Sequence, residues 1–170
     1  MERLQQIKEL GKTTREKQSF ISTGEAWHLW SLLAERYSVQ LTTKIFSNFV
    51  QTSEFKLILE RGEVIIDEEI QLLEQALLNY GIPLPNRTPA GVHTNSDSEI
   101  ITDKFIFERV FVGLRDFMPQ FLHAYIAAEN GKIREMLKGF LINEIELYDQ
   151  MLEYGRLKNW LRDAPRYRSE

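Results

Sequence analysis

Two carboxylates stand where carboxylates are costly. Glu69 and Glu144 each interrupt a run of apolar residues at helical spacing, near the middle of the segment that carries it. Buried acids of this kind can hold a metal ion, hold a proton, or close a structural hydrogen-bond network. A di-iron or di-manganese site in a helical bundle takes a Glu from each of two helices and a Glu-x-x-His pair from each of the other two. Here the residue three positions on is Leu72 in one case and Leu147 in the other, so both histidines are missing. The matching depth of the other two helices is apolar or aromatic, around Tyr37, Leu41, Leu114 and Phe117. Two ligands where six are needed argue against a two-metal oxidase centre. The pair is expected inside the fold, in one polar pocket. Hydrogen bonds from Tyr37, Ser38, Thr42 or Tyr148 would neutralise it there, or a proton shared between the two acids, or a single cation or small polar ligand.

No other residues are spaced for chemistry. His28, His93 and His123 are scattered and read as solvent-facing. There is no glycine-rich phosphate loop and no Ser/His/Asp spacing to single out. The chain has no cysteine, which excludes disulfides, thiolate zinc sites and Cys nucleophiles together, and suits a cytoplasmic origin. Trp27 and Trp30 read as core aromatics rather than a cofactor pocket. The expectation is a protein that is not an enzyme and takes no cofactor.

The elements that must hold the two acids are helices, and no stretch reads as a strand. An N-terminal arm, 1–20, carries Leu4, Ile7 and Leu10 on a short amphipathic turn that stops at Gly11. A four-helix body follows over 21–162, with a surface tail at 163–170. The first long helix is predicted from about Thr23 to Gln51, with Ser22 or Thr23 as N-cap and Glu25 in its first turn. Its core stripe reads Trp27, Trp30, Ala34, Tyr37, Leu41, Ile45 and Phe49. The second helix runs from near Ser53 to just before Gly81, a natural residue for a left-handed helix end. The third spans about Thr102 to Asn130, with Pro119 expected to kink or break it. The fourth begins after Asn130-Gly131.

Loop lengths select a topology. The joins between the first two helices and the last two are short, so each pair must form an antiparallel hairpin. The stretch 81–99, rich in Pro, Gly and polar residues, is an extended connection. About 18 residues reach roughly 55–60 Å when extended, whereas a helix of about 26 residues is only about 39 Å long. The connection can therefore run the length of the body and leave the second and third helices parallel. Short, long, short is the ferritin-like order, and an up-down-up-down bundle with a slack loop stays open.

The first helix carries one further pattern. Leu32, Val39 and Phe46 repeat every seven residues and are joined by Val50, on a face read as a third of a turn or more from the core stripe. A second apolar face must pack on something. The favoured partner is another copy of the chain in a homodimer; the alternative is the arm, through Leu4, Ile7 and Leu10.

Composition bounds the partners. At 170 residues, with 43% hydrophobic and 27% charged residues, the chain is one ordinary globular domain. A net charge of −4 argues against nucleic acid. No apolar run is long enough to span a membrane, and the N-terminus shows no secretory block.

Five segments, AWHLWSLLAERY (26–37), NYGIPLPNRTP (79–89), FIFERVFVGLRDFMP (105–119), FLINEIELYDQMLEYGRLKNWL (140–161) and APRY (164–167), resemble in order and spacing a ferritin-like family of endospore-forming bacteria. Its members are mostly catalogued as a domain of unknown function, and some are labelled "putative spore coat protein". The resemblance covers nearly everything after Ile21. It implies an all-α, ferritin-like four-helix bundle with one long crossover connection between helices 2 and 3. It also implies a non-enzymatic, spore-associated structural or interaction protein, with other spore proteins as partners. The alternative is a ferritin-like protein binding a metal or small ligand through Glu69 and Glu144.

Overall fold

The structure is a computed structural model that describes residues 2–87, 101–161 and 167. Among these every regular element is helical: α1 (Glu2–Glu9), α2 (Thr14–Lys17), a 3₁₀ turn (Gln18–Phe20), α3 (Thr23–Ser47), α4 (Ser53–Asn79), α5 (Asp103–Ala127) and α6 (Gly131–Leu157). Two short helices and the 3₁₀ turn precede four long helices. Most of 81–99, His93 and the tail except Tyr167 lie outside the described residues.

The long helices start and stop on local signals. Ser22 caps α3 in a reciprocal box, accepting from Glu25 N while Glu25 accepts from Ser22 N. Asn130 caps α6 by accepting from the backbone of Lys132 and Ile133. At the end of α4, Gly81 takes a left-handed φ of +67°, and Ile82 N donates back to Leu77 O. A Cβ at Gly81 would lie 2.8 Å from Thr14 Cγ2, so glycine is required by space as well as by φ.

α3 packs on α4 and α5, and α6 on α5 and α4. The directions follow from which ends meet. The α3–α4 turn donates from Gln51 N and Thr52 N to Asp103, the first residue of α5, at 2.8 and 2.9 Å. The α5–α6 turn donates from Glu129 N and Asn130 N to Glu25, in the first turn of α3, at 2.8 and 2.7 Å. α4 and α5 therefore start at the same end and run parallel. Between them, Ile82 and Leu84 pack on the core near the end of α4, Arg87 reaches Gln40 and Tyr37 on α3, and Ile101 packs at the opposite end.

Two apolar clusters fill the interior. One joins the starts of α3 and α6 to the ends of α4 and α5, through Leu29, Leu33, Leu73, Phe121 and Phe140. The other joins the starts of α4 and α5 to the end of α6, through Phe55, Phe107, Met151 and Tyr154.

Three expectations are corrected. The core face of α3 is turned from the one that the tryptophans mark: Trp30, Tyr37 and Phe49 of that stripe do pack on the interior, but Trp27 is 64% exposed, and Leu29, Leu32, Leu33, Arg36, Gln40 and Thr43 are buried with Tyr37. The supposed outer stripe is inside. Leu32 is 3% exposed in the first cluster, Val39 packs against it, and Phe46 and Val50 pack against the second. A homodimer through Leu32, Val39, Phe46 and Val50 loses its basis, and so does a cover by the arm, whose Leu4, Ile7 and Leu10 are exposed. Finally, of the kink or break expected at Pro119, the break does not occur: α5 is one helix through it. Pro119 and Arg115, whose carbonyl loses its partner, are both exposed, so water can satisfy that carbonyl.

The arm docks by charge instead. Glu9 is buried, accepting from Tyr80 Oη at 2.9 Å and pairing with Lys132 at 2.6 Å. Burial opposes its ionisation, but hydrogen bonds from Lys132, Gln5 and Tyr80 outweigh that and hold its pKa down at about 2.

Candidate functional site

Glu69 on α4 and Glu144 on α6 meet in the interior, 1% and 2% exposed. What joins them is Arg36, on the buried face of α3 and 2% exposed. A single nitrogen, Nη2, bridges the pair: it lies 2.8 Å from Glu69 Oε2 and donates to Glu144 Oε1. The guanidinium carbon lies 4.3 Å from the Phe117 ring centre and 4.8 Å from that of Phe121, both on α5. One side chain thus touches all three other long helices. Arg36 and Glu144 meet because each lies roughly 20 Å from the start of its helix at 1.5 Å per residue, and α3 and α6 start at the same end.

One cation faces two acids, so the charge does not balance with both ionised. Burial pushes Glu69 up to about 7, against the pull of Arg36 and with a smaller push from the Glu144 charge. Burial raises Glu144 as well, opposed by Arg36. Asn143 lies near enough to favour ionised Glu69, yet Glu69 Oε1 is buried without a hydrogen-bond partner. Glu144 Oε2 and Arg36 Nε are likewise buried without hydrogen-bond partners. The arrangement is an ion-pair triad with one more acid than cation, in which burial favours the protonated form of both acids, and with polar atoms to spare.

Beside the triad lies a cavity of about 310 Å³, between the two apolar clusters. Arg36 and Glu144 form part of its wall, and the rest is largely apolar, including Val39, Phe46, Val110 and Leu147. Gly62 and Gly113 also line it, and a Cβ on either would meet nothing within 4 Å. Exposed Ser38, Thr42 and Arg109 place its mouth between α3 and α5.

Residues 10–170 match the family described as "Protein of unknown function (DUF3231)". The chain belongs to this family. A solved structure of a "putative spore coat protein" from Bacillus halodurans C-125 superposes on this DUF3231 chain with a TM-score of 0.80. The two are 17% identical over 87% of this chain and 96% of that one, a likeness of fold. No curated protein matches.

The donor set does not fit a two-metal centre in this DUF3231 chain. The guanidinium occupies the space between the two acids, and among the described residues no three His, Asp or Glu side chains come together to hold a metal. Of the other expected neighbours, Tyr37 donates to Glu74 at 2.6 Å, while Ser38 and Thr42 donate to their own helix. His28 is half-buried and His123 exposed. Trp27 and Trp30 stack at 6.1 Å; Trp27 is exposed, and Trp30 packs against the first cluster. Sequence reasoning missed Arg36. The signal available was a need: two core carboxylates require a cation at their depth, and "LLAERYS" supplies one at a helical interval from Leu29, Leu32 and Leu33.

Proposed function

We propose that this chain is a non-enzymatic, spore-associated structural or interaction protein built on a ferritin-like four-helix bundle. The observation that carries the reading is Arg36 lying between Glu69 and Glu144. Ferritin-like oxidases place metals between such carboxylates; here a fixed side-chain cation takes that position, and a guanidinium has neither redox chemistry nor an exchangeable coordination site. Two hairpins joined by a crossover support the bundle assignment. The family and the fold shared with a "putative spore coat protein" support the spore setting. No described helix is long and apolar enough to cross a membrane.

The test has two arms. Protein purified without tag or chelator should carry iron and manganese far below one equivalent, and aerobic addition of ferrous iron should produce no oxidation above the buffer rate. In a sporulating bacterium that encodes the chain, an epitope-tagged copy should be recovered with purified spores. Two metal equivalents or oxidase activity would overturn the non-enzymatic reading. Recovery only from vegetative cells would overturn the spore assignment.

A further inference from the structure

The cavity beside Arg36 and Glu144 is larger than packing leaves by accident. Interiors pack as densely as organic crystals, and their voids are few and small. An engineered apolar cavity of about 150 Å³ already binds benzene; 310 Å³ is about twice that and reaches the lower end of ligand pockets. The sequence holds the space open at a cost. Gly62 and Gly113 are interior residues of α4 and α5, where glycine is destabilising relative to alanine. Neither has the excuse of a tight contact, since a Cβ at each would point into free space.

The wall also carries a donor and an acceptor with nothing to bind. Arg36 Nε–H and Glu144 Oε2 are buried and unpartnered on residues that line the cavity, and such atoms destabilise a fold when left so. Their chemistry selects the ligand. At the inner end an anionic head would meet the Glu144 carboxylate beside an Arg36 that already serves two acids, and the other arginine of the lining, Arg109, is exposed at the mouth. A cationic head would meet the guanidinium beside Glu144. A hydroxyl can accept from Arg36 Nε–H and donate to Glu144 Oε2 at once.

We propose that this cavity binds a neutral, mostly apolar small molecule, on the order of a dozen heavy atoms by comparison with the benzene cavity, whose terminal hydroxyl meets Arg36 and Glu144. Its tail lies along Val39, Phe46 and Leu147, and it enters between α3 and α5. This site goes beyond the spore assignment and stands without it.

Titration calorimetry of the full chain with 1-octanol, octanoate and octylamine at pH 7.5 tests the idea. The alcohol should bind at one site with a Kd of about 10–100 µM, and the two charged analogues at least about tenfold more weakly. Gly113→Leu and Gly62→Leu each place a side chain in the cavity. Each should lower octanol affinity at least tenfold while keeping wild-type helicity and a Tm no lower than wild type. The inference is overturned by octanol failing to bind, by a charged analogue binding as well as the alcohol, or by binding that survives in whichever leucine variant remains folded. Should both variants unfold, the space is not free as the geometry states, and the proposal falls with it.

Discussion

At the residue scale, the interior depends on Arg36. Removing one partner of a buried ion pair leaves an uncompensated charge, which typically costs about 3–5 kcal/mol. Arg36→Met keeps length and apolar bulk but strands two carboxylates. Urea unfolding near pH 7 should show a loss of that size, and Glu144→Gln in the same background should restore part of it. A loss under about 1 kcal/mol would mean that water or rearrangement already compensates the acids. Glu69 adds a pH signature. Its pKa rises from 4.5 to about 7 on folding, so between those values the folded state keeps a proton that the unfolded chain has lost. Stability from this group is full below about 4.5 and is lost as pH rises towards 7, by about 1–3 kcal/mol. Glu144 shifts the same way, whereas Glu69→Gln cannot titrate. The gap in unfolding free energy between wild type and Glu69→Gln should therefore move in favour of the variant from pH 5 to pH 7.5. A gap independent of pH would show that Glu69 titrates normally. The two acids were legible in the sequence because a charge inside an apolar stripe is conspicuous. Arg36 was not, because a long basic side chain usually sends its head to water.

At the element scale, the two hairpins clasp each other by the same device used twice. Glu25, at the start of α3, binds the backbone of the α5–α6 turn, and Asp103, at the start of α5, binds that of the α3–α4 turn. Each carboxylate sits at a helix N-terminus, where the dipole favours it. Glu25 does more, because its other oxygen closes the cap of its own helix. Glu25→Ala removes that capping interaction and strands two amides, one of them on buried Asn130. The expected loss is about 2–4 kcal/mol, read by thermal or urea unfolding, while a loss below about 0.5 kcal/mol would show that water replaces the carboxylate. The capping box at Ser22–Glu25 was readable from local spacing; the contact to Asn130, 105 positions away, was not. The face of α3 failed for a related reason. Two stripes at helical spacing cross at Tyr37, one through Trp27, Trp30 and Leu41, the other through Leu33, Arg36, Gln40 and Thr43. Counting apolar residues selects the first. The second is buried because its polar members have partners: Arg36 meets the two acids, Gln40 bonds Asp67 and Arg87, and Thr43 bonds Val39 O.

At the scale of the whole molecule, that rotation of α3 decides how the chain should behave in solution. With the tryptophan stripe inward, Leu32, Val39, Phe46 and Val50 would form an outer apolar face that needs a second subunit. In the observed orientation the same residues close the interior and part of the cavity wall. Val39→Asp separates the two arrangements. On an outer face the aspartate would gain water and lose a partner, so the mass seen by light scattering would halve while the Tm held. On an inner face it places a carboxylate against apolar neighbours, where Arg36 is already shared by Glu69 and Glu144. The expected result is a lower Tm, equivalent to roughly 1–3 kcal/mol, with the scattering mass of the folded protein unchanged. A halved mass with an unchanged Tm would return the stripe to the outside and require a different packing of α3 against α5.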